Sequence, residues 1–215
     1  PTFPDAMLRE MVKKVYELGV PLNYHANGDA AIDMLFRAHE WAAADDPRKE
    51  RNVTVIHAQF SRKDQVAKYV EYSMTPSFYT LHTYYFADAH IANRGPEQAA
   101  YISPMRDAID AGLHPTNHTD FVVAPLDQMF VLWSAVNRIS RSGDVIGEGQ
   151  RVGALEGLKA QTIWAAEQYG EAAEKGSLEP GKLADIVIVD RNPLAVEPMA
   201  IKDIKVVETI KEGRT

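Results

Sequence analysis

The chain has 215 residues, 46% of them hydrophobic, with a formal net charge of −7; this suits one large globular domain or one and a half small ones and gives no basic surface for nucleic acid or anionic lipid. The absence of cysteine excludes disulfides, thiolate catalysis and Cys-ligated zinc, and fits a cytoplasmic protein. No apolar run approaches the ~18 residues of a membrane span, and the opening Pro1-Thr2-Phe3-Pro4, with neither an initiating Met nor a signal-peptide pattern, reads as the interior of a longer protein.

Leu8, Met11, Val12, Val15 and Tyr16 recur at helical spacing, so residues 5–18 are expected to form a helix that stops at Gly19. A short buried strand follows, closing on His25 and breaking into the polar loop Asn27-Gly28-Asp29. The next helix spans residues 30–43, with Ile32, Leu35, Phe36 and His39 on one stripe, and a charged connection occupies residues 45–50. A β-branched run, Val53-Thr54-Val55-Ile56, forms a second strand ending at His57. Ser61-Arg62-Lys63-Asp64 resembles a capping box before a helix carrying Val66, Tyr69 and Val70. A strand is expected at residues 72–76, then a long loop, 77–93, rich in aromatic residues and histidines and of the kind that carries function. Ser103-Pro104 opens a helix that ends at Gly112, and a strand over residues 113–120 closes on Asp120. Pro125 opens a helix burying Leu126, Met129, Phe130 and Trp133. Residues 137–151 read as a polar loop with three arginines, and 154–169 as a last helix. Beyond Gly176 the texture changes to short strands at 182–190 and 204–210, giving two domains, 1–175 and 176–215.

Four alternations of strand and helix argue for a parallel sheet with right-handed crossovers. A doubly wound sheet is one solution. A curved barrel rim is the better one, because there strand ends face a common centre. His25, His57 and Asp120 each close a separate strand, and imidazole nitrogen with carboxylate oxygen suits Zn²⁺, Mn²⁺ or Fe²⁺. A divalent ion acidifies water into a nucleophile, and Asp120 is placed to move the proton. Taken singly, a strand-end histidine reads better as a hydrogen-bonded core residue and Asp120 as a turn cap; the three together favour the metal. Asn27 and Asp29 either orient His25 or are turn chemistry. His82 and Tyr84 are candidates for substrate contact. His118 is expected on the same side as Asp120 by strand alternation, lining the site. Arg138 and Arg141 offer forked donors for a carboxylate, or are simply solvated. His39 reads as core, and His114 is assigned no role.

Several motifs resemble the amidohydrolase superfamily, and more narrowly its YtcJ-like branch, which includes N-substituted formamide deformylases. They are Tyr24-His25-Ala26-Asn27-Gly28-Asp29-Ala30-Ala31, Ile102-Ser103-Pro104, His118-Thr119-Asp120-Phe121, Ala135-Val136-Asn137-Arg138, the run Gly176-Ser177-Leu178-Glu179-Pro180-Gly181-Lys182-Leu183-Ala184-Asp185, and Ile201-Lys202-Asp203-Ile204-Lys205-Val206. The resemblance covers nearly the whole chain and implies an α/β fold: the C-terminal half of a (β/α)8 barrel, strands five to eight, plus the C-terminal part of a small β-sandwich. It implies that His25 and His57 bind a divalent metal, zinc first among the candidates, as one ion or two. Asp120 then binds metal and shuttles the proton while an amide or other C–N bond of a small molecule is hydrolysed.

The family's first-strand His-x-His pair and fourth-strand bridging residue have no counterpart here. The missing half of the barrel is therefore expected in cis or in trans, and the isolated segment is expected to be inactive, unstable or oligomeric. Two competing readings stay open. One is a non-catalytic fragment or binding module; the other is a sugar- or organic-acid-binding domain that uses the aromatic loop.

Overall fold

The computed structural model describes residues 3–44, 46 and 51–215; the charged connection expected at 45–50 lies outside them, apart from Asp46. The first helix, α1 (Asp5–Leu18), buries Leu8, Val12 and Tyr16, one residue per turn on one stripe. It ends where Gly19 turns left-handed at φ +66° and its N–H reaches the Tyr16 carbonyl. Strand β1 (Leu22–Ala26), helix α2 (Asp29–Ala43) and strand β2 (Val53–His57) follow. The expected stripe of α2 is buried, His39 included.

Helix α3 (Lys63–Glu71) departs from expectation at both ends. Its cap is made by Gln65, whose Oε1 accepts from the Arg62 N–H at 3.0 Å. Ser61 instead donates its hydroxyl to the Ala58 carbonyl and meets the Tyr69 hydroxyl. Val70 is exposed. Strand β3 (Met74–Phe78) lies two residues beyond the expected 72–76. Tyr72 is held back by the helix, with its hydroxyl donating to Glu40 and its ring against Phe36; Ser73, at φ +53°, makes the turn.

The aromatic stretch expected to be a loop, residues 77–93, is largely helical, as α4 (His82–Tyr85) and α5 (Ala87–Arg94), and a further short helix, α6 (Pro96–Ala100), follows it. Gly95 at φ +83° separates the last two, and Pro96 at the first turn restarts the chain as helix. Helix α7 (Met105–Asp110) starts after Pro104, with Ser103 left-handed at φ +48° rather than capping through its side chain. Strand β4 has only two residues, Thr116–Asn117, so Asp120 lies in the turn beyond it and not on the strand. Helix α8 (Gln128–Asn137) begins three residues after Pro125, capped by Asp127, whose carboxylate accepts the Phe130 N–H at 2.9 Å. Leu126, expected to be buried, is 66% exposed. The last expected helix is broken at Thr162 into α9 (Ala154–Gln161) and α10 (Ile163–Gln168). The two remaining strands are shorter than expected: β5 (Ile186–Val189) and β6 (Val206–Ile210).

The four strands β1-β2-β3-β4 form one parallel sheet in sequence order, and β5 pairs antiparallel with β6 in a separate ribbon. A single main core runs through α1, α2, the parallel strands, α7 and α9 to Trp164 on α10. Beyond Gly176 the chain still packs on the helices, for Ile201 is buried against Leu132 and Trp133 of α8. Gly176 (φ +91°) crosses directly over the helix break: a Cβ there would lie 2.7 Å from Ala166 Cβ and 2.9 Å from Ile163 Cα. The outer edge of β1 has no partner strand among the described residues. Beside it opens a cleft of about 460 Å³ lined by apolar side chains including Phe3, Met11, Leu22 and Met34. The β5–β6 ribbon likewise exposes Val187, Ile188, Val206 and Val207.

Arg138 corrects the expectation of a solvated or ligand-binding loop. It is fully buried. Its Nε donates to the Ile146 carbonyl at 2.6 Å, Nη1 to Ser103 at 3.1 Å, and Nη2 to Ile102 at 2.6 Å and Ala100 at 3.3 Å. Main-chain carbonyl dipoles thus replace water around a charge that no carboxylate among the described residues contacts directly, and burial lowers its pKa to about 9. Arg138→Met should strip four carbonyls of their donor and cost roughly 3 kcal/mol or more; a urea-unfolding free energy within ~1 kcal/mol of wild type would contradict this account.

His39 supplies a second prediction. Its Nδ1 meets the Tyr16 hydroxyl at 2.7 Å. Burial first, then Arg51, pushes its pKa down to about 4, with Glu40 opposing. The unfolded chain, with an ordinary histidine near 6.5, takes up the proton first as pH falls. Stability present above about pH 6.5 is therefore lost progressively towards pH 4, by roughly 2 kcal/mol at pH 5 for this group alone. Urea unfolding at pH 7 and pH 5 should show a loss that shrinks by about that amount in His39→Gln; an unchanged difference would count against it.

Candidate metal centre

The site forms where the parallel strands end. The ladder pairs Ala26 with His57, His57 with Phe78, and Phe78 with Asn117, so these four residues share one row at the C-terminal rim. His25 stands one residue short of that row on β1, with its side chain exposed. Its ring nevertheless packs edge-on against His57, centroids 4.6 Å apart. His118 follows the row directly, and its N–H donates to the Phe78 carbonyl at 3.0 Å, carrying the ladder one step past β4.

His57, His118 and Asp120 come together. Among the described residues they form a group in which one ligand atom from each lies within 4.8 Å of the others. The expected reason for His118 and Asp120 sharing a side, strand alternation, does not apply, because the strand ends at Asn117. A turn brings Asp120 back: its φ is +53°, and its carbonyl accepts from the Val123 N–H. His57 and Ala58 are also left-handed, at φ +71° and +44°. Each such non-glycine residue costs of order 1 kcal/mol, and strain of this kind gathers at functional sites.

His82, expected in an exposed loop, is buried. Its ring stands 5.6 Å from His57, and His118 stands 5.1 Å from His57. Tyr79 completes the cluster, stacked on His118 and edge-on to His82. In the sequence Tyr79 falls in the aromatic stretch 77–93 with nothing to distinguish it from its neighbours. The signal that places it is its position directly after the strand, visible once β3 is set at Met74–Phe78. Tyr84 lies elsewhere, its ring against Tyr85, Phe130 and Trp133. Asp29 does not turn to His25: its carboxylate accepts from Arg62 and from the Ala30 N–H. Asn27 ties the first two rim loops together, its carbonyl accepting the Phe60 N–H at 2.9 Å. Arg141 donates its main-chain N–H to the Tyr84 carbonyl. His114, as expected, is apart from the rim, stacked on Trp164 and paired with Glu167.

The electrostatics favour neutral imidazoles. Burial lowers the pKa of His57, with His25 adding to the effect and Asp120 opposing it. Burial and the neighbouring histidines push His118 down to about 4 and His82 to about 2. Burial raises the Tyr79 phenol to about 12. A neutral imidazole carries the lone pair that a cation needs. His57 Nδ1, His82 Nδ1, His118 Nε2 and the Tyr79 hydroxyl are all buried without a hydrogen-bond partner. Buried polar atoms are rarely left this way unless something else satisfies them. The donor set, nitrogen and oxygen without sulfur, fits a divalent cation of the zinc, manganese or iron type.

The whole chain, residues 1–215, matches the model of the Amidohydrolase family. The N-substituted formamide deformylase of Arthrobacter pascens is 24% identical over 98% of this chain and 39% of its own length. The putative amidohydrolase YtcJ of Bacillus subtilis is 22% identical over 98% of this chain and 40% of its own. The chain thus spans about two fifths of these relatives. Among solved structures, an uncharacterized metal-dependent hydrolase from Pyrococcus furiosus superposes with a TM-score of 0.74 at 27% identity, over 90% of this chain and 38% of that one. A zinc-bound adenosine deaminase from Xanthomonas campestris shares the fold at a TM-score of 0.71 and 18% identity, over 99% of this chain and 49% of that one. The α/β architecture, the parallel sheet and the full-length family match agree, and the chain belongs to the amidohydrolase family.

Proposed function

We propose that this chain is part of a metal-dependent hydrolase that cleaves non-peptide amide and related C–N bonds of a small molecule. The observation that carries the reading is the convergence of His57 and Asp120, with the His25 ring in contact with His57, at the end of a parallel sheet. His25, His57 and Asp120 are the residues we assign to the metal, with zinc as the first candidate. A bound divalent ion supplies a Lewis acid and an acidified water. The chain's own groups do the rest. His57 presents a neutral nitrogen, and His25 supplies a second imidazole beside it. Asp120 accepts the proton of the attacking water and returns it to the leaving nitrogen. His82 and His118 wall the substrate on the side of Tyr79.

The domain reading is carried forward as part of the proposal: residues 1–175 as four βα units of a barrel and 176–215 as part of a β-sandwich. The unpaired edge of β1, the apolar cleft beside it and the exposed aliphatic residues of β5–β6 support a further segment covering these surfaces, in cis or in trans. A second copy of the chain is the other candidate cover. No helix among the described residues is long and apolar enough to cross a membrane; we place the protein in the cytoplasm on composition.

The competing reading, a non-catalytic binding module, predicts no metal. Equilibrium dialysis against Zn²⁺ should leave close to one ion per chain, and His57→Ala should weaken binding by about 100-fold. In protein that includes the covering segment, N-formyl and N-acyl substrates should release acid only when zinc is loaded, with Asp120→Asn lowering the rate at least ~100-fold. A purified chain that takes up no zinc would favour the module.

A further inference from the structure

The loops that leave β1 and β2 and the short helices that follow β3 enclose a pocket of about 350 Å³. Phe60 and Tyr101 form walls of it, and Lys63, Arg94 and Gln98 open into it. None of His25, His57 and Asp120 lines it, nor does any residue of β1. We propose that this pocket binds a small organic anion through a carboxylate or phosphate group held by Arg94 and Lys63. The inference goes beyond the hydrolase reading and stands without it.

The charges point to such a ligand. The chain carries a formal charge of −7, so two cations in one pocket without a carboxylate call for an account. The acidic groups around them are engaged by Arg62, which donates to Asp29 at 3.3 Å, to Asp33 at 3.0 Å and to Asp64 at 2.9 Å. Asp29, the one carboxylate in the pocket wall, also accepts from the Ala30 N–H. Lys63 and Arg94 form no ion pair and no side-chain hydrogen bond among the described residues. Rings hold them instead: the Arg94 guanidinium carbon lies 4.1 Å from the Phe60 ring centroid, and Lys63 Nζ lies 5.8 Å from that of Tyr101.

The geometry suits an oxyanion. A guanidinium resting on a ring has one face covered, but the N–H donors at its edge stay free and match two oxygens of a carboxylate or phosphate. Lys63 adds a compact point charge and Gln98 an amide donor. The walls are already fixed, so little ordering is needed on binding. Phe60 donates its N–H to the Asn27 carbonyl at 2.9 Å, and its ring meets His90 edge-on at 4.9 Å. The Tyr101 hydroxyl donates to Asp107. Ring carbons and the aliphatic stems of Lys63 and Arg94 supply apolar surface for the body of an organic molecule, and the volume lies in the range of small-ligand sites.

The test uses protein that includes the covering segment, stripped of metal and dialysed, with succinate and inorganic phosphate as probes in low-salt calorimetry. At least one of the two should bind saturably, one per chain, and weaken as salt is added. Arg94→Gln and Lys63→Gln should each lower the affinity at least ~10-fold, with Arg94→Lys retaining part of it. Both side chains are exposed, so the substitutions should leave the fold intact. As a second readout, the Arg94 Nε–H resonance of ¹⁵N-arginine-labelled protein should shift when the probe is added. Binding of neither probe, or binding that survives both substitutions unchanged, overturns the proposal and leaves the zinc result to stand or fall separately. A binding probe that also competes with an N-acyl substrate in zinc-loaded protein identifies the pocket as the seat of the substrate's charged end. A probe that binds without competing identifies it as the site of a separate anion.

Discussion

Hydrogen-bond register in a parallel sheet decides which residues share a rim, and here one row does so. Ala26, His57, Phe78 and Asn117 lie side by side. Side chains alternate with a period of two, so slipping β2 by one residue would turn His57 from the cluster into the helical layer. Everything at the site is counted from that row: His25 one step before it, His118 one step after, Tyr79 one step beyond Phe78. The core serves the same constraint. Helices α1, α2, α7 and α9 bury the strands and hold the register, and Arg138 pins the segment Ala100–Ser103 from behind. Ser103 in turn donates its N–H to the carbonyl of Gln59, two residues past His57.

The parts of this arrangement that were legible in the sequence share a cause. Helices α1 and α2 are long enough for a buried stripe to repeat, and β2 is a β-branched run buried at four of its five residues; β1, expected to be a buried strand, is instead an edge strand in which only Ala26 is buried. Periodicity reports burial, and burial decides those elements. Strand β4 was only partly readable because two residues in a ladder carry no periodicity. Pro115, just before it, has no N–H to donate, and His114 is drawn to Glu167 and Trp164. Helices α4 and α5 fall in the stretch that the sequence presents as a loop because each is too short for a buried stripe to repeat, and the Thr and Tyr residues of α4 are indifferent helix formers. The burial of Arg138 is hidden from the sequence for a different reason. An arginine in a polar stretch is exposed by default, and the carbonyls that allow its burial come from residues 35 to 38 positions away as well as from Ile146.

The rim itself is costly. Several imidazoles crowd one space and repel one another's protons. Four polar atoms lack partners, and His57, Ala58 and Asp120 sit in strained conformations. No packing argument favours such a set. A sequence optimised for stability alone would fill the space with valine and leucine, as β2 does one turn of the pleat below. The rim gathers three such strained residues and four unpartnered polar atoms in one place, and that concentration marks the site.

Gly176 has a geometric consequence for the whole C-terminal segment. The backbone passes so close to Ile163 and Ala166 that there is no space for even a methyl group. The direction in which residues 177–215 leave the helices is therefore set by a single hydrogen atom. The notch that receives it exists only because the helix is interrupted at Thr162. The helix break, which reads locally as an irregularity, is where the C-terminal segment makes this close passage, so any side chain at position 176 would have to displace the α9–α10 junction.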